Sequence, residues 1–204
     1  MKSNIIEFEK FKIKTSNNVF CPREDIEIFP IALKNIIKKE NKILELGTGT
    51  GAISISIAKN FKNVKITATD INSTAIKIAK QNAKINNVEN IIEFKKSNWF
   101  ENIDKIKYDF IITNPPYLAK KNSKYYTELL DPNSSLYSNN NGLDDIYKII
   151  KLSVNYLNKN SFIIMEHSHN QTLFLKEYAK KYNLNLIKTE KDSLGFNRVS
   201  VFLN

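Results

Sequence analysis

Apolar residues recur at helical spacing from Arg23 to Lys39, through Ile26, Phe29, Leu33, Ile36 and Ile37. Glu24 and Asp25 at the start and Lys38 and Lys39 at the end suit the helix dipole, while Pro30 predicts a late start or a kink. Ahead of this helix, residues 6–13 (IEFEKFKI) and 18–21 (NVFC) read as two short strands turning at Thr15, Ser16 and Asn17. Lys42 to Leu46 is a short buried-strand pattern that runs into Gly47-Thr48-Gly49-Thr50-Gly51. The following AISISIAK alternates as a strand would, yet a glycine-rich turn directly after a strand favours a helix, and a helix is expected.

Val64 to Thr69 reads as the next strand, ending at Asp70, and Ser73 to Ile85 as an amphipathic helix with Ala75, Ile76, Ala79 and Ala83 on one side. Further strands are predicted at Ile91–Phe94, Asp109–Thr113 and Phe162–Glu166, with a helix from Leu143 to Leu157 and a loop at Ser138–Asn141. Leu184–Thr189 and Arg198–Leu203 read as a hairpin around Asp192–Asn197. Strands and helices alternating in this order predict a doubly wound, Rossmann-like α/β sheet with an antiparallel C-terminal strand pair and a short N-terminal β-hairpin. Residues 1–22 are expected to form the hairpin extension and residues 23–204 the main domain.

Composition changes this picture mainly by what is scarce. The 204 residues include 29 Lys, 29 Ile and 28 Asn, but only 2 Arg, 5 Gly and 5 Pro, a bias typical of A/T-rich coding. The formal net charge of +10 therefore reads mostly as background, because a chain built to grip phosphates would hold more arginine. No apolar run reaches the roughly 18 residues of a membrane span, and the charged N-terminus does not resemble a signal peptide, so a soluble, cytoplasmic protein is expected. Cys21 stands alone, which excludes an internal disulfide and a cysteine-based zinc site. His167 and His169 lack a third ligand at useful spacing and read as solvated loop residues, so no metal is expected.

Two segments carry candidate chemistry. In Gly47-Thr48-Gly49-Thr50-Gly51, glycines at alternate positions let backbone approach a ligand closely, with the next helix N-terminus aimed at it. Asp70 follows 19 residues after Gly51, at the end of the next strand, where a carboxylate can accept both ribose hydroxyls. A tight turn and a helix-capping aspartate is the structural alternative; together the features indicate a nucleoside cofactor. The second segment, Asn114-Pro115-Pro116-Tyr117, directly follows the strand DFIIT. The prolines fix the backbone so that the Asn114 amide oxygen and the Pro115 carbonyl can accept both hydrogens of a planar –NH2 group, with the Tyr117 ring stacked beside it.

With these motifs in place, the sequence resembles the peptide chain release factor glutamine methyltransferases over essentially its whole length. Pro22-Arg23 with Glu27 matches the family's P-R-x-x-T-E, with Ile26 in place of Thr, and Ser97-Asn98-Trp99-Phe100 resembles S-D-W-F. Asp131-Pro132, Asn141-Gly142-Leu143-Asp144 and Asp192–Arg198 resemble E-P, D-G-L-D and D-L-A-G-R-D-R. Every glycine, both arginines, the only tryptophan and four of five prolines fall on family positions. The resemblance implies an S-adenosyl-L-methionine methyltransferase fold. It also implies that Gly47 to Gly51 line the methionine and ribose portions and that Asp70 holds the ribose. Trp99 would pack near the adenine, Asn98 would recognise it with one acceptor but without the family's aspartate charge, and Asn114 to Tyr117 would hold the substrate glutamine.

The implied activity is methyl transfer to the side-chain amide nitrogen of a glutamine in a release factor. Family members carry an N-terminal helical domain that helps dock the release factor, ahead of the matching region; either the sequence is an excised domain, or it is naturally short and docking would use the catalytic domain or a partner. Glu166, in EHSHNQ where the family has E-x-G-x-x-Q, reads as structural. Three other readings stay open at this point. An adenine-N(6) nucleic-acid methyltransferase would use the same –NH2 chemistry, a ribosomal-protein glutamine methyltransferase would differ only in substrate, and a release-factor adaptor would have lost catalysis.

Overall fold

A computed structural model describes residues 4–119 and 131–204. The N-terminal strands are β1 (Ile5–Glu7) and β2 (Lys12–Lys14), followed by a 3-10 turn at Glu24–Glu27 and α1 (Ile28–Leu33). Next come β3 (Lys42–Leu46), α2 (Ala52–Asn60), β4 (Lys65–Asp70), α3 (Ser73–Ile85), β5 (Ile92–Lys96) and β6 (Tyr108–Thr113). The short elements β7 (Leu118–Ala119), α4 (Asn133–Leu136), β8 (Tyr137–Ser138) and α5 (Asn139–Gly142) lead to α6 (Asp144–Ser153). The chain closes with β9 (Leu157–Glu166), α7 (Thr172–Lys180), β10 (Asn185–Lys191) and β11 (Asn197–Leu203).

Seven strands form the main sheet in the order β10-β11-β9-β6-β3-β4-β5, parallel from β9 to β5, with β11 and then β10 antiparallel at one edge. The doubly wound sheet, the antiparallel closing pair and the N-terminal hairpin all match the sequence expectation. Alternate residues of the central strands face opposite layers, as the strand period requires. Ile43, Phe110, Ile112 and Ile164 pack with α1, α2 and α3, whereas Leu44, Ile111, Ile163 and Met165 pack with α6 and α7.

Several boundaries differ from the expectation. The hairpin turns at Glu9-Lys10 rather than at Thr15–Asn17, with Phe8 N–H donating to Phe11 O at 2.8 Å and the two rings stacked at 4.7 Å. Residues 18–21 are not a strand; Val19 instead packs on Ala75 and Ile78 of α3. Pro30 occupies the first turn of α1, after the 3-10 turn, where its missing N–H costs little. The helix expected to reach Leu157 stops at Ser153, because Tyr108 N–H donates to Tyr156 O at 2.7 Å and draws the chain into β9. α7 was not expected: only Leu175 and Ala179 of it are buried, too narrow a stripe to read as amphipathic. α2 forms despite its strand-like alternation, since Ala52 through Ala58 are all buried and neither face needs to be polar.

The hairpin is tied to the domain by two asparagines one helical turn apart, Asn82 in α3 and Asn86 at its C-terminal cap. Asn82 accepts from Lys14 N–H (2.8 Å) and donates to Lys14 O (3.0 Å) and Thr50 O (2.9 Å). Asn86 accepts from Lys12 N–H (2.9 Å) and donates to Lys12 O (2.7 Å). Two side-chain amides thus pair with the free edge of β2 as a neighbouring strand would, and Ile13 between them is fully buried. Replacing Asn82 with Ala strands the Lys14 and Thr50 backbone groups, and urea unfolding should register a loss of about 2–4 kcal/mol.

Candidate active site

The strand order reverses between β3 and β6, and at such a switch point the loops leaving the two strands part and open a crevice. Leu46 pairs with Thr113 and, on its other side, with Thr69. Gly47, Asn114 and Asp70 consequently leave the sheet side by side. A cavity of about 530 Å³ lies above them, of the size that binds small molecules.

The glycine loop is fixed by backbone and carboxylate contacts. Thr48 N–H donates to Thr69 O at 2.8 Å, and Gly49 N–H donates to Asp70 Oδ2 at 2.8 Å. Gly51 caps α2 at φ +83°, and a Cβ there would sit 3.1 Å from the Ala79 Cβ of α3. Gly51 therefore faces the helix pair, whereas Gly47, Thr48, Gly49 and Thr50 line the cavity. Asp70 Oδ1 accepts from Asn72 N–H at 2.8 Å. The cap of α3 is Asn72, which accepts from Thr74 N–H, so Asp70 is not a helix cap. The two Asp70 oxygens are thus each held by a backbone N–H, with the carboxyl at the cavity wall.

Beneath the loop, Glu45 Oε2 accepts from Thr48 Oγ1 at 2.7 Å and from Ser54 Oγ. Its Oε1 is buried without a partner among the described residues, and burial pushes the carboxyl up to about 7.

On the opposite wall, Trp99 stands against Gly47, whose added Cβ would lie 3.5 Å from the indole. The Trp99 backbone is left-handed (φ +49°), and its indole N–H donates to Asp145 Oδ1 at 3.2 Å. Ser138 Oγ donates to the other Asp145 oxygen at 2.6 Å. Asn98 also lines the cavity, and its Nδ2 donates to Glu101 Oε1 at 2.7 Å. Asp145 was missed by sequence reasoning, although it directly follows Asn141-Gly142-Leu143-Asp144.

Asn114, Pro115, Pro116 and Tyr117 complete the lining. The Tyr117 hydroxyl donates to Glu166 Oε1 at 2.9 Å, and burial pushes the Glu166 carboxyl up to about 7. Burial first, then the neighbouring Glu166 charge, holds the Tyr117 phenol well above its ordinary range. Glu166 supports the tyrosine from behind, in keeping with its structural reading.

His167 is not solvated as expected; it is fully buried, and burial lowers its pKa to about 4. Its Nδ1 lies 2.8 Å from Ser168 O, which can only accept, so Nδ1 carries the proton and Nε2 accepts from Ser200 Oγ at 2.7 Å. His169 is exposed, 5.1 Å from the Phe196 ring. Both arginines border the cavity on ion pairs, Arg23 with Asp131 at 3.2 Å and Arg198 with Asp192 at 2.8 Å. Asp131 also accepts from Cys21 N–H at 2.7 Å, joining the Pro22-Arg23 and Asp131-Pro132 segments.

Residues 10–134 match the family model described as "Methyltransferase small domain". A release factor glutamine methyltransferase of Buchnera aphidicola (subsp. Acyrthosiphon pisum) is 38% identical over 198 residues, covering 96% of this chain and 71% of that protein. The enzyme of that name from Aliivibrio fischeri is 34% identical over 200 residues, covering 96% and 70%. The chain belongs to the release factor glutamine methyltransferase family. It is therefore an enzyme, an S-adenosylmethionine-dependent methyltransferase. Among solved structures, a Pyrococcus furiosus methyltransferase superposes with a TM-score of 0.72 at 22% identity, covering 95% of this chain and 88% of that one, a likeness of fold. Among the described residues, no helix is long and apolar enough to cross a membrane.

The two buried carboxyls make stability depend on pH. Between the ordinary glutamate value of 4.5 and about 7, the folded chain keeps protons that the unfolded chain has released. Stability then falls as pH rises through that window, on the order of 3 kcal/mol per group. Buried neutral His167, with its pKa lowered from 6.5 to about 4, acts in the opposite sense over its own window. Thermal unfolding from about pH 5 to about pH 8 should therefore show a smaller decline in Glu45→Gln and Glu166→Gln than in the parent protein.

Proposed function

We propose that this methyltransferase transfers the methyl group of S-adenosyl-L-methionine to the side-chain amide nitrogen of a glutamine in a peptide chain release factor. The observation that carries the reading is the Leu46–Thr113 pairing, which sets the glycine loop and Asn114-Pro115-Pro116-Tyr117 beside each other across one cavity. The relatives named for this activity in Buchnera and Aliivibrio support it.

The residues present fit the cofactor. Its ribose hydroxyls would be held by Asp70, its adenine by Trp99 and Asn98, and its methionine portion by Gly47, Thr48, Gly49 and Thr50, with Asn114 alongside. When bound, it supplies a methyl group already activated by a sulfonium.

The remaining work falls to the chain. A glutamine amide nitrogen is a poor nucleophile because its lone pair is delocalised into the carbonyl. Asn114 Oδ1 and the Pro115 carbonyl accept the two N–H bonds of that amide, which raises electron density on nitrogen and fixes its direction. Pro115 and Pro116 keep these acceptors from rotating away, and Tyr117 lies against the amide plane. Alignment of this kind contributes about 7–11 kcal/mol to lowering a barrier. The two acceptors also stabilise positive charge as it reaches nitrogen, and the proton leaves to water after transfer. Glu166 touches Tyr117 rather than the substrate and keeps the ring in place.

Incubation with labelled S-adenosylmethionine and a release factor, a ribosomal protein or DNA tests the substrate assignment. Label on a release-factor glutamine, located by mass spectrometry, is expected; label confined to nucleic acid or ribosomal protein would overturn it. Asn114→Ala should lower turnover about a hundredfold or more, with a much smaller loss of cofactor affinity. Asp70→Ala should do the reverse, weakening cofactor binding by calorimetry about tenfold to a hundredfold.

A further inference from the structure

The carbonyl of Tyr117 is gripped from behind by residues outside the cavity. Gln171, buried at the start of α7, donates from Nε2 to Tyr117 O at 3.0 Å and to Asn141 O at 3.2 Å. Its Oε1 accepts from Ser168 N–H at 3.0 Å, while the Ser168 side chain accepts from the Gln171 backbone in a reciprocal capping box. That box leaves one orientation of the amide: turned over, Oε1 would face two carbonyls and the –NH2 a backbone N–H. On the other side, Asn140, Asn141 and Gly142 run through three successive left-handed residues (φ +50°, +57° and +85°). A Cβ on Gly142 would fall 2.0 Å from Tyr117 O and 2.5 Å from its carbonyl carbon. The backbone there is seated directly on the Tyr117–Leu118 peptide.

We propose that Gln171 and Gly142 form a clamp that positions the Asn114–Tyr117 acceptor loop, with Gln171 the positioning residue for methyl transfer. The clamp gives a role to two segments that the cofactor and substrate readings leave unused, Asn141-Gly142-Leu143-Asp144 and the glutamine closing EHSHNQ. Gln171 acts through Tyr117. Its hydrogen bond fixes the carbonyl end of the loop, and the Tyr117–Glu166 bond fixes the ring end. With Thr113 paired in the sheet on one side and Tyr117 held by these two contacts on the other, the Asn114 and Pro115 acceptors are fixed from both ends. The catalytic part of this inference rests on the proposed glutamine-amide chemistry; the clamp itself rests on the contacts alone.

Gln171→Met keeps the length of the side chain and removes both donors. In the full chain we expect kcat for release-factor methylation to fall about a hundredfold, the cost of roughly an ångström of misplacement. Cofactor affinity should be unchanged. Amide exchange should quicken where Leu118–Ala119 pairs with Tyr137–Ser138, but not in the Gly47–Gly51 loop. Gly142→Ala forces the same carbonyl aside and should reproduce the pattern, so it carries the test if Gln171→Met does not fold. Parental kcat in the folded variants would overturn the positioning role, whatever the exchange rates. So would a loss of kcat accompanied by equal loss of cofactor affinity and of protection in the glycine loop. If the parent protein methylates no glutamine, the proposed function falls, while unchanged exchange in both variants would independently overturn the clamp.

Discussion

Where parallel strands end, backbone N–H and C=O groups leave the ladder still buried, and each must find a partner or cost stability. This requirement governs the carboxyl edge of the sheet. Thr69 Oγ1 donates to Glu45 O, Thr113 Oγ1 donates to Leu46 O, and Thr48 N–H donates to Thr69 O. Asp70 then takes Gly49 N–H and Gln171 takes Tyr117 O. The groups that satisfy the strand ends are thus the same groups that shape the cavity floor and its two loops. Stability and site geometry are coupled there because they draw on one set of hydrogen bonds.

The same economy appears away from the cavity. β2 would be an exposed strand edge were it not for Asn82 and Asn86, whose amides imitate a strand one helical turn at a time. Asn82 reaches beyond the hairpin to Thr50, so the N-terminal hairpin, α3 and the glycine loop share one buried side chain. Val19, which follows the hairpin, lies within 3.9 Å of where a Gly49 side chain would be. The hairpin and Val19 therefore brace the glycine-loop wall of the cavity, which their modest hydrophobic pattern does not reveal.

Much of the site was legible because it sits in contiguous segments. Gly47 to Gly51, Asp70 and Asn114 to Tyr117 each lie at a strand end, and the strand pattern before each is strong enough to fix its position. The rest was not legible because it depends on partners remote in sequence. Asp145 meets Trp99 across 46 residues, and Gln171 meets Tyr117 across 54. His167 reads as polar and exposed until Ser200, on a strand folded back beside it, supplies its second hydrogen bond. The hairpin turn was misplaced for a related reason. Thr15–Asn17 has turn-forming residues, but stacking of Phe8 on Phe11 closes the turn earlier, and Lys12 and Lys14 gain partners only once α3 is present.

By itself, the sequence determined the alternation of strands and helices and the two strand-end loops, Gly47–Gly51 and Asn114–Tyr117, because these follow from local period and local backbone freedom. The tertiary structure alone decided which strand lies beside which, and so brought Gly47, Asp70 and Asn114 to one level of the sheet. It also decided which side chains hold the loops still. Those are choices of long-range pairing, made when buried polar groups find partners that the linear chain keeps far apart.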